Sequence, residues 1–220
     1  CVALILAIVT ALAAALGGRQ SRLAWVRPSE GGLLAIAGLL FLSTAILLYL
    51  LLTRNFQVQY VYAHTSTYQA TPYVFSALWA GQEGSLLLWA LLLSLVTVVL
   101  ILQKRRCPAA LWPYILAVMA IVEGFFALLL VTVQNPFVLY PMRPPEGAGI
   151  TPLLENPAMV IHPPILFLGY ASFAIPFAAT LASLIAGQIL EIEGLRWIRR
   201  WTLTAWLLLG LGIAIGAWWA

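Results

Sequence analysis

Charged residues are scarce in this sequence, and aspartate is absent. Of its 220 residues, 63% are hydrophobic and only 8% are charged. A soluble domain has about 45–50% apolar and about 25% charged residues, so this composition excludes an ordinary soluble protein. The net charge of +4 does not indicate a nucleic-acid partner, because the basic residues lie in short loops beside apolar segments.

Potential metal ligands are also scarce. The two cysteines, Cys1 and Cys107, lie at the ends of different segments and have no spacing typical of a disulfide or a metal site. A zinc site needs three or four ligands, which a lone histidine cannot supply. Haem needs only one or two axial ligands, so a haem site is compatible with this sequence.

Six long apolar segments are present. A bilayer requires about 20 apolar residues per helix, and a helix satisfies its backbone hydrogen bonds internally. We therefore predict an all-α, polytopic integral membrane protein, with a single membrane domain over residues 1–220 and two long outer-face loops. The predicted spans are Cys1–Gly17, Gly32–Leu52, Ser85–Gln103, Ala109–Val133, Ile165–Ala186 and Trp201–Ala220.

The basic residues predict the orientation of these spans. Only Arg54 and Arg143 lie in the two long loops, and the other nine lie in three short ones. Because cytoplasmic loops are enriched in Lys and Arg, we predict that the short loops are cytoplasmic and the long loops lie outside. The nine are Arg19, Arg22, Arg27, Lys104, Arg105, Arg106, Arg196, Arg199 and Arg200.

The first outer loop is rich in aromatic residues and ends in a glycine-flanked motif. An interfacial belt of aromatic rings accounts for Trp79. Gly81 and Gly84 flank Gln82 and Glu83, and two glycines permit a tight turn and the close approach of a planar partner. We expect Glu83 to stabilise the start of the third span, because negative charge is favourable at a helix amino terminus.

The second outer loop contains His162. Asn156 followed by Pro157 predicts an N-cap and the first turn of a short surface helix that reaches about Ile161. Pro163 disfavours helical geometry for the preceding residue, so we expect it to end that helix and hold the imidazole at the membrane surface. From the residues alone, His162 is either a haem ligand or a histidine hydrogen-bonded to loop carbonyls.

Three other polar residues have two interpretations each. Arg143 and Arg54 could pair with haem propionates, or could hold the loops together. Glu123 is the one charge deep in a span, and could carry a proton or could be a protonated side chain bonded to a neighbouring helix. We expect His64, in the tyrosine-rich loop, to be a hydrogen-bonding loop residue.

Three motifs resemble the cytochrome c-type biogenesis protein F (CcmF) family of haem lyase subunits, in the cytochrome c assembly superfamily. The segment Ala77–Trp89 resembles its first periplasmic signature. Asn135-Pro-Phe137 is similar to the family's exit from the fourth span, and Pro152–Tyr170 resembles its histidine signature. With the span pattern, the resemblance covers essentially the whole chain.

The resemblance implies that His162 is an axial ligand of haem on the outer face of the bacterial inner membrane. Trp79, Gln82, Glu83 and Arg143 are then candidates for contact with haem. It further implies that the protein receives haem from a haem chaperone, acts beside other maturation subunits and helps attach haem to apocytochrome c through thioether bonds.

The chain departs from the family pattern in several places. The tryptophan-rich motif with its aspartate, a second external histidine and two membrane-embedded haem ligands are missing. Gln82 stands where histidine is expected in many relatives. We therefore expect an amino-terminal part of a longer protein, inactive alone. Haem transport and a ligand-free scaffold are alternative functions, although Glu123 alone makes a poor polar path.

Overall fold

Helices account for nearly all of the ordered architecture. The computed structural model describes residues 1–20, 23–188 and 192–219; Arg22 and Ala220, named above, lie outside these ranges. The helices are α1 (Val2–Arg19), α2 (Leu23–Leu52), α3 (Gln59–His64), α4 (Thr71–Ser76), α5 (Gln82–Leu102), α6 (Trp112–Thr132), α7 (Pro157–Ala186) and α8 (Ile192–Trp219). Six of them are long and apolar enough to cross a membrane, which confirms the predicted all-α, six-span fold.

Helices α5 and α6 form the centre of the bundle. Both have more than half of their spanning residues buried, and α5 packs against α2, α6 and α7. Helix α1 packs against α2 and α6 on one side. Helix α8 packs mainly on α7 and leaves most of its apolar surface exposed, so it lies at the edge of the bundle.

The two long loops pack on each other at one end of the bundle. Their backbones meet in an antiparallel bridge between Val58 and Leu139, the only strand-type pairing within the described residues. The Glu146 carboxylate accepts a hydrogen bond from the Thr67 backbone N–H at 2.7 Å. Hydrogen bonds from Thr67 lower the pKa of Glu146, because they stabilise its charged form. Each predicted outer loop is therefore braced by the other.

The basic loops meet at the opposite end. Lys104 donates to the Glu30 carboxylate at 2.7 Å, and the Trp112 indole N–H donates to the other oxygen at 2.8 Å. The predicted start of the second span at Gly32 is wrong, because α2 already begins at Leu23. The polar residues before Gly32 stay helical since Glu30 finds partners on two neighbouring elements. Helix α8 likewise begins at Ile192, before the predicted Trp201.

The predicted break before Pro163 is wrong, because α7 runs unbroken from Pro157 to Ala186. Its N-cap is as predicted: the Asn156 side chain accepts from the Ala158 N–H at 2.9 Å. Pro163 lacks the N–H that would donate to the Met159 carbonyl. The Trp79 indole N–H supplies that donor at 2.8 Å. A side chain from the first outer loop thus replaces the missing helical hydrogen bond.

Candidate functional site

His162 lies in the second turn of α7 and faces α8, rather than standing in a loop. Its ring is partly buried, and Nδ1 is 2.7 Å from the Gly212 carbonyl oxygen. A methyl group at Gly216 would come within 2.5 Å of the imidazole Cε1. The imidazole therefore occupies the space that a side chain at Gly216 of α8 would fill.

The Gly212 contact determines which imidazole nitrogen is available. A carbonyl oxygen only accepts hydrogen bonds, so Nδ1 is the donor. In the neutral ring Nε2 then carries the lone pair, and it makes no hydrogen bond to any described residue. Metal-ligating histidines usually donate their other ring N–H to a carbonyl or a carboxylate, which orients the ring. The contact of His162 with Gly212 is an orienting contact of this kind, and the Trp219 ring lies 6.2 Å away.

The glycine-flanked motif packs closely against two planar rings, as predicted, and these are the protein's own Tyr60 and His64 side chains. Tyr60 OH donates to the Ala77 carbonyl at 2.8 Å and accepts from the Gly81 N–H at 3.1 Å. The His64 ring stacks on Tyr60 with a centroid distance of 4.3 Å. A side chain at Gly84 would collide with the Tyr60 ring. Burial raises the pKa of Tyr60, which keeps its hydroxyl a donor.

The hydrogen bond expected for His64 is present, but His64 is the last residue of α3 and not a loop residue. Its Nδ1 is 2.9 Å from the Tyr60 carbonyl oxygen, one turn earlier in the same helix. The same ring lines a cavity of about 540 Å³ together with Glu83 and Tyr140. Glu83 lies in the first turn of α5, where its charge is favourable. Gln82 is exposed, and its side-chain oxygen accepts from the Gln134 amide at 3.3 Å.

The arginines of the outer loops brace the loops. Arg54 donates to the carbonyls of Ser66 and Gln69, at 3.0 and 3.1 Å. Arg143 is exposed and donates to the Arg54 carbonyl at 3.4 Å. These contacts support the second interpretation of Arg54. Within the described residues, the exposed guanidinium of Arg143 has one hydrogen-bond partner, the Arg54 carbonyl.

Glu123 is 2% exposed and contacts α5. Thr97 Oγ1 is 2.6 Å from Glu123 Oε1 and 3.0 Å from the Leu93 carbonyl. A hydroxyl has one proton, so both contacts are hydrogen bonds only when a protonated Glu123 donates to Thr97. Oε2 has no partner in the described part of the chain. The Thr97 contact is the bond to a neighbouring helix that the second interpretation of Glu123 requires.

The structure links two of the predicted site residues through α7. Trp79 binds the Met159 carbonyl one turn before His162. Gln82, Glu83 and Arg143 make no hydrogen bond to the His162 ring among the described contacts. Sequence reasoning missed Gly212 and Gly216. Their four-residue spacing is typical of close helix packing in membranes and was the available signal.

A profile of the cytochrome c assembly protein family matches residues 79–220, which include Trp79, His162, Gly212 and Gly216. The chain belongs to this family. Its matched region begins at the tryptophan that completes the hydrogen bonding of α7, so the Trp79–Met159 contact lies inside the family's own segment.

Relatives within this family match nearly the whole chain. It is 37% identical to the cytochrome c-type biogenesis protein CcmF of Pseudomonas aeruginosa, covering 100% of this chain and 33% of the relative. CcmF of Haemophilus influenzae is also 37% identical, with the same coverage. The probable cytochrome c-type biogenesis protein NrfE of Escherichia coli is 36% identical over 97% of this chain and 38% of its own length.

A solved structure of the cytochrome c haem lyase CcmF has the same fold. The TM-score is 0.83 at 24% identity, over 99% of this chain and 34% of that structure. The likeness at this identity concerns the fold alone. The chain spans about a third of the length of the curated relatives that it matches most fully. It is a multi-pass membrane protein of cytochrome c biogenesis.

Proposed function

We propose that this chain binds haem on the outer face of the bacterial inner membrane, with His162 as an axial ligand of the iron. Haem held there would be positioned for attachment to apocytochrome c. Bound haem would supply the vinyl groups to which two cysteine thiols of apocytochrome c add. The chain's own contribution would be to hold and orient the haem.

One observation carries this proposal. The Nδ1–H of His162 donates to the Gly212 carbonyl at 2.7 Å. The lone pair of Nε2 is then the one that would bind the iron. An imidazole fixed in this way loses little further freedom when it binds a metal. The contact to a backbone carbonyl is the orienting interaction that haem and metal sites commonly use.

Two further contacts support the proposal. Gly216 leaves room for the imidazole against α8, and the Trp79 hydrogen bond completes the helix turn that carries His162. The contacts to haem predicted for Trp79, Gln82, Glu83 and Arg143 remain predictions. For Trp79 the buried indole and its bond to Met159 favour a positioning role.

The partners belong to the same proposal. The chain would act beside other subunits of the cytochrome c maturation system, receive haem from a haem chaperone and serve apocytochrome c. Haem transport requires a polar path through the bundle. Glu123, the one buried carboxyl in the described part of the bundle, is already engaged by Thr97, so no observation favours transport.

The test uses the full-length protein purified with its haem. His162→Ala is expected to lose most bound haem, and added imidazole is expected to restore the haem spectrum because it can enter the vacated space. His64→Ala is the matched control, since His64 is the other histidine and bonds to Tyr60. Unchanged haem content and unchanged cytochrome c maturation in His162→Ala would overturn the proposal.

A further inference from the structure

A cavity at the basic end of the bundle is lined by four arginines. It has a volume of about 340 Å³ and lies between the loop that follows α5 and the first turns of α8. Its lining residues are Arg105, Arg106, Glu193, Arg196, Trp197 and Arg200. His162 packs against Gly216, near the other end of α8. The two sites are separated by about 30 Å along the helix, roughly the thickness of a bilayer core.

Among the described residues, Glu193 is the one acid that lines this cavity beside its four arginines. The one ion pair among the described residues joins Lys104 to Glu30, so none of the four arginines has a described carboxylate within 4.0 Å. Residues 104–106 and 191–200 contain six cations, and their two acids are Glu191 and Glu193. An excess of positive charge therefore remains even when both acids are counted.

An unpartnered donor stands in the wall of the same cavity. Trp197 is 6% exposed, and its indole N–H has no acceptor in the described structure. Nearly all buried polar groups have a hydrogen-bond partner, so this N–H is available to a bound ligand or a water molecule. The other two buried tryptophans of the described residues differ, because Trp79 and Trp112 both donate to protein oxygens.

We propose that this cavity binds the phosphate of an anionic phospholipid in the adjacent leaflet. Guanidinium groups match phosphate oxygens in a two-pronged geometry, and basic pockets between membrane helices bind acidic headgroups. The Trp197 N–H would supply a further donor to the bound headgroup. A lipid is favoured over free phosphate because the exposed apolar face of α8 continues from the cavity and can hold acyl chains.

The test measures lipid retention by the full-length protein in a zwitterionic detergent, using native mass spectrometry. Phosphatidylglycerol is expected to remain bound, and phosphatidylcholine with the same acyl chains is not. Removal of one guanidinium in Arg196→Gln is expected to weaken phosphatidylglycerol binding about fivefold. Trp197→Phe, which keeps the ring and removes the N–H, is expected to weaken it by a similar factor.

Arg199→Gln is the matched control. It makes the same change of charge on the same helix, but Arg199 does not line the cavity. Equal losses from Arg196→Gln and Arg199→Gln would show that general surface charge binds the lipid, and would overturn the site. Equal retention of both lipids, full affinity in Trp197→Phe, or displacement by millimolar inorganic phosphate would also overturn it.

Discussion

At the scale of single residues, the position of the His162 ring depends on the absence of a side chain opposite. Gly216 is close enough that a methyl group would meet the imidazole, and Gly212 offers the carbonyl that orients it. Interiors are densely packed, so such contacts tolerate little added volume. Gly212 and Gly216 therefore belong to the proposed site, although neither has a side chain that could bind haem.

We expect Gly216→Ala to displace the imidazole and to weaken haem binding about tenfold or more. Overpacking of this kind typically costs about 1–3 kcal/mol, which corresponds to that range of affinity. Haem titration of the full-length protein measures the effect. Gly210→Ala is the control, because no atom lies within 4 Å of a methyl group there. Equal affinities of the two variants would contradict the positioning role of Gly216.

Glu123 presents the second residue-scale question. Its hydrogen bond with Thr97 joins α5 to α6 inside the bundle, where Glu123 is buried, so the carboxyl has a structural role even if it also moves protons. Glu123→Gln keeps a donor for Thr97 and nearly the same volume. We expect that variant to support cytochrome c maturation normally.

Glu123→Ala removes both the donor and the volume, and should lower stability by about 2–5 kcal/mol. Thermal unfolding of both variants, together with the yield of matured cytochrome c, separates the two interpretations. A Gln variant that folds normally but no longer supports maturation would favour a proton carrier over a structural carboxyl.

At the scale of elements, the apolar segments predict which helices exist but not where they begin. Composition identified all six spans, because burial in lipid demands continuous apolar surface. The starts of α2 and α8 were placed too late and α7 was divided at Pro163, because charged residues or prolines precede the continuous apolar part of each of these helices. The Trp79 bond to the Met159 carbonyl joins residues 80 positions apart, so no local pattern reveals it.

Trp79→Phe is expected to loosen the start of α7. It leaves the Met159 carbonyl without a donor, at a cost of about 1–3 kcal/mol, while the apolar ring is largely kept. Hydrogen exchange should become faster in the first two turns of α7, and haem affinity should fall with it. Trp206→Phe is the control because Trp206 is exposed on α8. Unchanged exchange in α7 would refute the account of how Pro163 is tolerated within the helix.

At the scale of the molecule, the two ends of the bundle have opposite chemistry. Residues of the three basic loops meet at one end around Glu30 and the four-arginine cavity, and the two long loops are bridged at the other end. The predicted grouping of the loops is therefore confirmed in three dimensions. Which end faces the cytoplasm stays a prediction from the charge asymmetry.

Reporter fusions in the full-length protein test this orientation. A periplasm-active reporter inserted after Arg106 is expected to be silent, and one inserted near Gly147 is expected to be active, because basic loops are retained in the cytoplasm. Replacing Lys104, Arg105 and Arg106 by Gln is expected to reduce this bias, since the bundle would keep six of its nine basic-loop cations. An active reporter after Arg106 and a silent one near Gly147 would invert the molecule. His162 would then lie on the cytoplasmic side, where no apocytochrome c receives haem under our proposal.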